Sequence, residues 1–414
     1  MKVFCGVDWA EDHHDVALVD DTGTLLARCR IGDDAEGLQH LLQVLADQGD
    51  DPDHLIPVAI ETSRGLLVAC LRATGRLVFP INPLAAARYR DRYSVARKKS
   101  DHGDAMVLAN ILRTDLAAHR PLPADSELGQ AIAVLARAQQ DAVWDRTQAG
   151  NKLRSHLRGY FPGLLSAVSH MREGLCTATA RTVLAAAPTP ADAARLTRTQ
   201  LKSLLKKAGR RRDVDSAAEA LREAFRREQM HQPPLVEEAM GRQALALLRQ
   251  LEAACISCDE LAEAVETSFR QHPDAAIITS FPGLGTLTGA RILAEMGDDR
   301  TRFASAASLK AYAGSAPVTR ASGKTRAVLA RKVKNQRLAA VGYVWAFSAL
   351  TKSPGARAHY DRRRATGERH TAAQRNLFNR MLGCLHHCLS DQVPFDEATA
   401  FANSPQTTQM PTAA

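Results

Sequence analysis

The sequence predicts an α/β domain at the start of the chain followed by an all-α remainder. Three observations predict it. Before residue 126, short apolar runs alternate with stretches of helical spacing. From about Ser126 the strand signals vanish and helical periodicity takes over. The composition is rich in Ala, Leu and Arg, which favours helix throughout.

Taken in order, residues 3–8 are an apolar run ending in an acid, the pattern of a buried strand. Residues 15–20 form a second strand, Asp21-Thr22-Gly23 is turn chemistry, and residues 25–31 form a third, so the chain opens as an antiparallel meander. Residues 35–48 carry Leu38, Leu41, Leu42 and Leu45 on one helical face. Residues 57–61 are again a short strand ending in an acid. A helix over 65–74, a strand over 76–81 and a helix opened by Pro83 complete the series. Three strands, helix, strand, helix, strand, helix is the order of a ribonuclease H-like fold.

The stretch Arg97-Lys98-Lys99-Ser100-Asp101-His102-Gly103-Asp104 sets two carboxylates three residues apart behind a basic run. Residues 105–109 continue it as a helix, on which i and i+3 share a face, so Asp101 and Asp104 can point into one site. Two such acids repel unless a cation sits between them. Mg²⁺ suits them, because it takes oxygen ligands and is held by one or two carboxylates. A solvated acid pair at a helix N-terminus is the bland alternative. Asp8 on the first strand and Glu61 at the end of the fourth weigh against it, since otherwise apolar strands end in carboxylates.

The 414-residue chain is long enough for two or three domains. A net charge of +9 and a pI near 9.3 favour a polyanionic partner. At 5% aromatics, broad base-stacking platforms are not the main feature. Eight scattered cysteines suit a reducing compartment, and no signal peptide or membrane-length apolar stretch is read, so a cytoplasmic protein is expected. Cys255/Cys258 and Cys384/Cys388 have zinc-like spacing, but each pair lies in an apparently continuous helix and reads as buried helix-face cysteine.

Residues 126–272 read as a helical spacer or coiled-coil arm, with one long helix over 128–160 and others over 201–212, 214–231 and 235–270. Near 273 the character changes again. Pro282-Gly283-Leu284-Gly285 resembles the turn of a helix-hairpin-helix, whose amides form a phosphate cradle at the next helix. Ser322 sits in a predicted loop with Arg320, Lys324 and Arg326 around it. A serine needs activation to act as nucleophile, and flanking cations would hold a phosphate. From residue 391 the chain loses pattern and is expected to be disordered.

With Asp8, Glu61, Asp101, Asp104, Pro282-Gly-Leu-Gly and Arg320-Ala-Ser322-Gly-Lys in order, nearly the whole chain resembles the DEDD transposases of the insertion sequence 110 family. The resemblance implies a RuvC-like metal-binding domain over 1–125, the helical arm over 126–272 and a Tnp domain over 273–390 that carries Ser322 as nucleophile. Ser315 is the weaker candidate. The four acids match the family's ligands for Mg²⁺, with Mn²⁺ as a substitute. Arg97, Lys98, Lys99, Gly283, Gly285, Arg320, Lys324 and Arg326 fall to nucleic-acid binding. Relatives often carry a lysine shortly after the first acid, where this chain has Trp9-Ala10-Glu11.

The implied activity is a recombinase that cuts and rejoins donor and target DNA through a phosphoserine, guided by a structured bridge RNA. It would act as a dimer that assembles to a tetramer in the bacterial cytoplasm, at the nucleoid. The serine of one protomer would complete the RuvC-like site of another. The main alternative is a junction-resolving endonuclease that uses the same acids with water as nucleophile. A sugar kinase or actin-like ATPase should show a duplicated domain and glycine-rich phosphate loops, which are not found. A non-catalytic nucleic-acid binder leaves the four acids unexplained.

Overall fold

The computed structural model describes residues 2–93, 101–322 and 325–402. Arg97, Lys98, Lys99 and Lys324 lie outside the described residues, as do the side chains of Asp101 and Arg326. The chain divides into two compact units, Met1–Ala124 and Asp125–Ala414.

In the first unit β1 (Val3–Trp9), β2 (His13–Asp20) and β3 (Leu25–Gly32) form the antiparallel meander expected from the alternation and turn residues. The β2–β3 turn is held by Asp20, whose carboxylate accepts from the amides of Thr22 at 2.8 Å and Thr24 at 2.9 Å. Gly23 supplies the positive φ of 91° that this turn requires. After α1 (Ala35–Asp47), β4 (Val58–Ile60) adds parallel to β1; after α2 (Leu66–Ala73), β5 (Val78–Pro80) adds parallel to β4. The strand order is β3-β2-β1-β4-β5. Then come α3 (Pro83–Tyr93) and α4 (Asp101–Asp115).

Strand alternation splits the core into two layers. Val3, Cys5 and Val7 face one side with Val58 and Ile60, against Leu41 and Leu45 of α1 and Leu67 and Leu71 of α2. Full burial of a leucine such as Leu41 or Leu45 stabilises the fold by about 1.5–3 kcal/mol each. Phe4 and Ala59 face the other side, against Ala86 and Tyr89 of α3 and Leu108, Ala109 and Leu112 of α4. Gly6 and Asp8 continue the Phe4 face, and Glu61 continues the Ala59 face. Gly6 is the close-approach point: a Cβ there would overlap Ala105 O and Ala109 N of α4.

The second unit is built on two long helices, α5 (Glu127–Arg158) and, after the short helices α6 (Pro162–Ala167), α7 (Ala178–Ala186), α8 (Pro190–Arg195), α9 (Arg198–Lys207) and α10 (Val214–Arg226), α11 (Pro234–Arg270). Ser126 caps α5, accepting from Gly129 N at 2.9 Å. The two long helices run antiparallel, since Gln139 meets Cys258 and His156 meets the carbonyl of Met240. One core gathers Leu153, Leu157, Phe161 and Phe225 with Leu248 and Leu251. The other gathers Ile132 and Ala136 with Val265, Phe269 and the remaining helices of the unit.

Those are α12 (Ala275–Thr279), α13 (Thr286–Met296), α14 (Ala306–Tyr312), α15 (Gln336–Ala349), α16 (Pro354–Ala365), α17 (His370–Asp391) and α18 (Glu397–Phe401), with a hairpin of β6 (Val318–Ser322) and β7 (Thr325–Leu329) between α14 and α15. Two expectations are corrected. Ser322 is not in a loop but ends a strand. The stretch from 391, expected to be disordered, carries α18, which Ser353 Oγ ties down by donating to Glu397 at 2.7 Å and Arg380 by donating to Ala400 O at 2.8 Å. Residues 403–414 lie outside the described residues. Both zinc-spaced cysteine pairs sit within unbroken helices, α11 and α17, and burial pushes all four thiols up. Among the described residues no helix is long and apolar enough to cross a membrane.

Candidate active site

Three of the four predicted acids line one cavity. Asp8 leaves the end of β1, Glu61 follows β4, and Asp104 stands one turn into α4; all three line a single cavity of about 430 Å³ in the first unit. The parallel pairing of β1 with β4 brings the first two together at neighbouring strand ends. The absence of a side chain at Gly6 lets α4 lie close enough to deliver the third. Asp101 opens α4 one helical turn before Asp104, and its side chain is outside the described residues.

Two further charges, not anticipated from sequence, shape this cavity. Arg90 of α3 donates to Asp104 Oδ1 at 2.6 Å, and Asp104 is itself buried. Asp15 sits directly across the β1–β2 ladder from Asp8 and also lines the cavity. Its carboxylate, 2% exposed, is gripped by Arg30 through two hydrogen bonds of 2.8 and 3.2 Å. The hairpin register could have revealed Asp15, because a turn fixes which residue faces Asp8. No signal in the sequence pairs Arg90 with Asp104, since the contact depends on how two helices pack.

The donor set is all carboxylate oxygen, which fits a hard divalent cation such as Mg²⁺ or Mn²⁺ and not zinc. Among the described residues, no three such side chains converge as a metal-holding group. Arg90 already occupies one oxygen of Asp104. The chemistry of the donors fits such an ion.

The predicted serine lies in the second unit. Ser322 is exposed at the last position of β6, opposite Thr325 across the hairpin. Arg320, two residues back on the same strand, shares its face and is exposed. Ser315, the other candidate, is 1% exposed, and its Oγ lies 2.9 Å from Asn379 Oδ1 and 3.2 Å from Lys310 O.

The glycine turn also forms, although α12 before it is only five residues long. Gly283 has φ 84°, and a side chain there would press on the backbone of Ser348 and Ala349. Trp345 Nε1 of α15 donates to Pro282 O at 3.1 Å and fixes the turn. Gly285 caps α13 with open space where a Cβ would be, so that side of the turn is accessible.

Comparison with known proteins covers most of the chain. Residues 5–162 match the DEDD family model described as a transposase of IS110 type, and residues 275–361 match the model of the transposase IS116/IS110/IS902 family. A Streptomyces coelicolor mini-circle protein, named as a putative transposase for IS117, is 62% identical over 402 residues, 97% of each chain. The 42 kDa protein of insertion element IS900 from Mycobacterium paratuberculosis is 30% identical over 97% of this chain and 99% of its own. The 43.6 kDa protein of insertion element IS110 from Streptomyces coelicolor is 30% identical over 77% of each chain.

Proposed function

The chain belongs to the IS110 family of transposases, and from that premise we propose a recombinase that cuts and rejoins the DNA of its insertion sequence through a phosphoserine at Ser322. The observation that carries the reading is that Asp8, Glu61 and Asp104 line one cavity. The strand order and the acids on β1, β4 and α4 support a ribonuclease H-like, RuvC-like first unit.

Asp8, Glu61, Asp101 and Asp104 would hold Mg²⁺ or Mn²⁺. When bound, such an ion supplies positive charge to a scissile phosphate and stabilises the charge that builds there. The residues of the chain do the rest. Arg30 fixes Asp15 beside Asp8 and so holds the wall of the cavity. Ser322 Oγ gives up its hydroxyl proton and attacks phosphorus: a serine oxygen–phosphorus bond forms, a phosphorus–oxygen bond to the sugar breaks, and the departing oxygen takes up a proton in exchange. The ester at serine conserves the energy of the phosphodiester, so rejoining to a new strand needs no nucleotide triphosphate. Arg320, exposed on the serine's own face of β6, offers charge to the phosphate. The open side of the Gly283–Gly285 turn offers backbone amides to another. A bridge RNA that pairs with donor and target DNA, and a homo-oligomer built from dimers, complete the reading on the family resemblance.

Covalent trapping tests it. Purified protein, Mg²⁺, labelled junction DNA and the RNA encoded beside the gene are incubated, denatured and resolved on a gel. A protein–DNA adduct that disappears in Ser322→Ala is expected. Cleavage without an adduct, insensitive to Ser322, would replace the serine by water and make the protein an endonuclease.

A further inference from the structure

We propose that the turn between α9 and α10 is a docking surface for the phosphate backbone of duplex DNA, gripped by charge and without regard to sequence. The inference rests on the DNA-recombining reading above and adds a contact surface apart from the carboxylate cavity and the Ser322 hairpin.

Residues 206–212 read Lys-Lys-Ala-Gly-Arg-Arg-Arg; five are cationic and none is acidic. Such crowding repels itself and adds nothing to a core. Lys206 and Lys207 lie in the last turn of α9, where cations are favoured anyway. Arg210, Arg211 and Arg212 lie beyond the helix and lack that explanation. The acids of α10 that face α9 are engaged elsewhere. Lys202 and Arg198 hold Asp215, while Arg198 at 3.5 Å and Arg222 at 3.0 Å hold Glu219. Asp213 borders the run and offsets one charge at most. Lys207, Arg211 and Arg212 are exposed.

The backbone that carries these charges is fixed. Gly209, with φ 83°, donates its N–H to Lys206 O at 2.9 Å, and Arg210 N donates to Leu205 O at 3.0 Å. Arg210 Nε donates to Arg212 O at 3.1 Å. Leu201 and Leu205 are fully buried and anchor α9 in the core below. Little backbone order remains to be lost when a partner docks.

The chemistry selects the partner. Guanidinium forks match phosphate oxygens. No aromatic residue occurs from Leu196 to Ala224, so the turn offers neither a base-stacking platform nor an aromatic anchor for a protein. Unpaired RNA is read by stacking its bases, which this turn cannot do. Duplex DNA carries one charge per about 1.7 Å of axis and meets such a turn by its backbone alone. Contacts to phosphate position a protein and carry no sequence information.

The test measures binding of the full-length protein, without divalent ion, to a labelled mixed-sequence DNA duplex, a scrambled DNA duplex and an RNA duplex. Fluorescence anisotropy follows each between about 50 and 200 mM KCl. Replacing Lys207, Arg211 and Arg212 together by Gln should reduce the slope of log K against log salt by about 2–3. It should weaken binding on the order of a hundredfold at about 0.1 M salt, equally on both DNA sequences. Arg211→Lys with Arg212→Lys should keep the parent slope, because the charge is kept. An unchanged DNA slope in the triple variant overturns the surface while leaving the recombinase reading intact. A change confined to the RNA duplex overturns it in favour of RNA. Loss of the slope in the lysine variant overturns the charge argument. Failure of the parent to bind duplex DNA removes both readings.

Discussion

Arg90 and Asp104 face each other across 2.6 Å in the wall of the cavity that also holds Asp8 and Glu61. The guanidinium neutralises a buried carboxylate of the proposed metal site. Cation replaces cation, so Arg90→Gln should tighten Mn²⁺ binding on the order of tenfold, the equivalent of about 1.4 kcal/mol. Spin-resonance titration of Mn²⁺ against the full-length protein measures it directly. Weaker binding in Arg90→Gln would mean that the arginine organises the ligands and does not compete with them.

Gly6 controls how closely α4 approaches the sheet. Gly6→Ala puts a methyl group into Ala105 O and Ala109 N, both backbone atoms that cannot swing aside. Overpacking of this kind costs about 1–3 kcal/mol. A lower urea midpoint with unchanged slope is expected, together with weaker Mn²⁺ binding, because Asp104 moves with the helix. Unchanged stability would mean that α4 shifts freely.

Much of the first unit is legible in its residues. Alternation along Val3, Cys5 and Val7 leaves Asp8 on the opposite face from the first apolar layer, and the same logic serves Glu61. Arg90 is not legible, because helix packing alone brings it to Asp104. The sequence predicts a loop at Ser322 because the Val318–Ser322 stretch lacks an apolar alternation; its strand is formed by pairing with Thr325–Leu329, not by burial.

The two serines should separate structure from chemistry. Ser315→Ala removes a buried hydroxyl that bonds Asn379 or Lys310 and should cost about 1 kcal/mol of stability. It should leave the DNA adduct intact. Ser322→Ala should do the reverse: full stability, no adduct. Thermal melts and the trapping gel read both. An adduct lost in Ser315→Ala at temperatures where that variant remains folded would exchange the assignments.

Asp298 gives the second unit a pH dependence. It accepts from Ser126 N at 2.9 Å, from Ser126 Oγ, and lies 3.1 Å from His272 Nε2. Burial pushes its pKa up, but the Ser126 and His272 hydrogen bonds outweigh that and hold it below the ordinary carboxylate value. A depressed native pKa stabilises the fold above the unfolded value of about 3.9. That contribution is lost as pH falls through the native pKa. Asp298→Asn should therefore lower stability by about 1–2 kcal/mol at pH 7, and the gap to wild type should close as the medium becomes more acidic than about pH 4. A gap that stays constant with pH would remove the carboxylate charge from the explanation.

The two long helices of the second unit share both of its cores. Ile132 and Ala136 of α5 belong to one, Leu153 and Leu157 to the other. Each residue of a helix advances the chain by about 100° of rotation at 3.6 residues per turn. Deleting a single residue between Ala142 and Leu153 would therefore swing Leu153 and Leu157 off their partners while leaving every atom of both cores present. Removing about seven residues, close to two turns, from α5 and the facing seven from α11 would bring the apolar faces back into phase. The length of this rod can change only in whole-turn increments made on both helices at once.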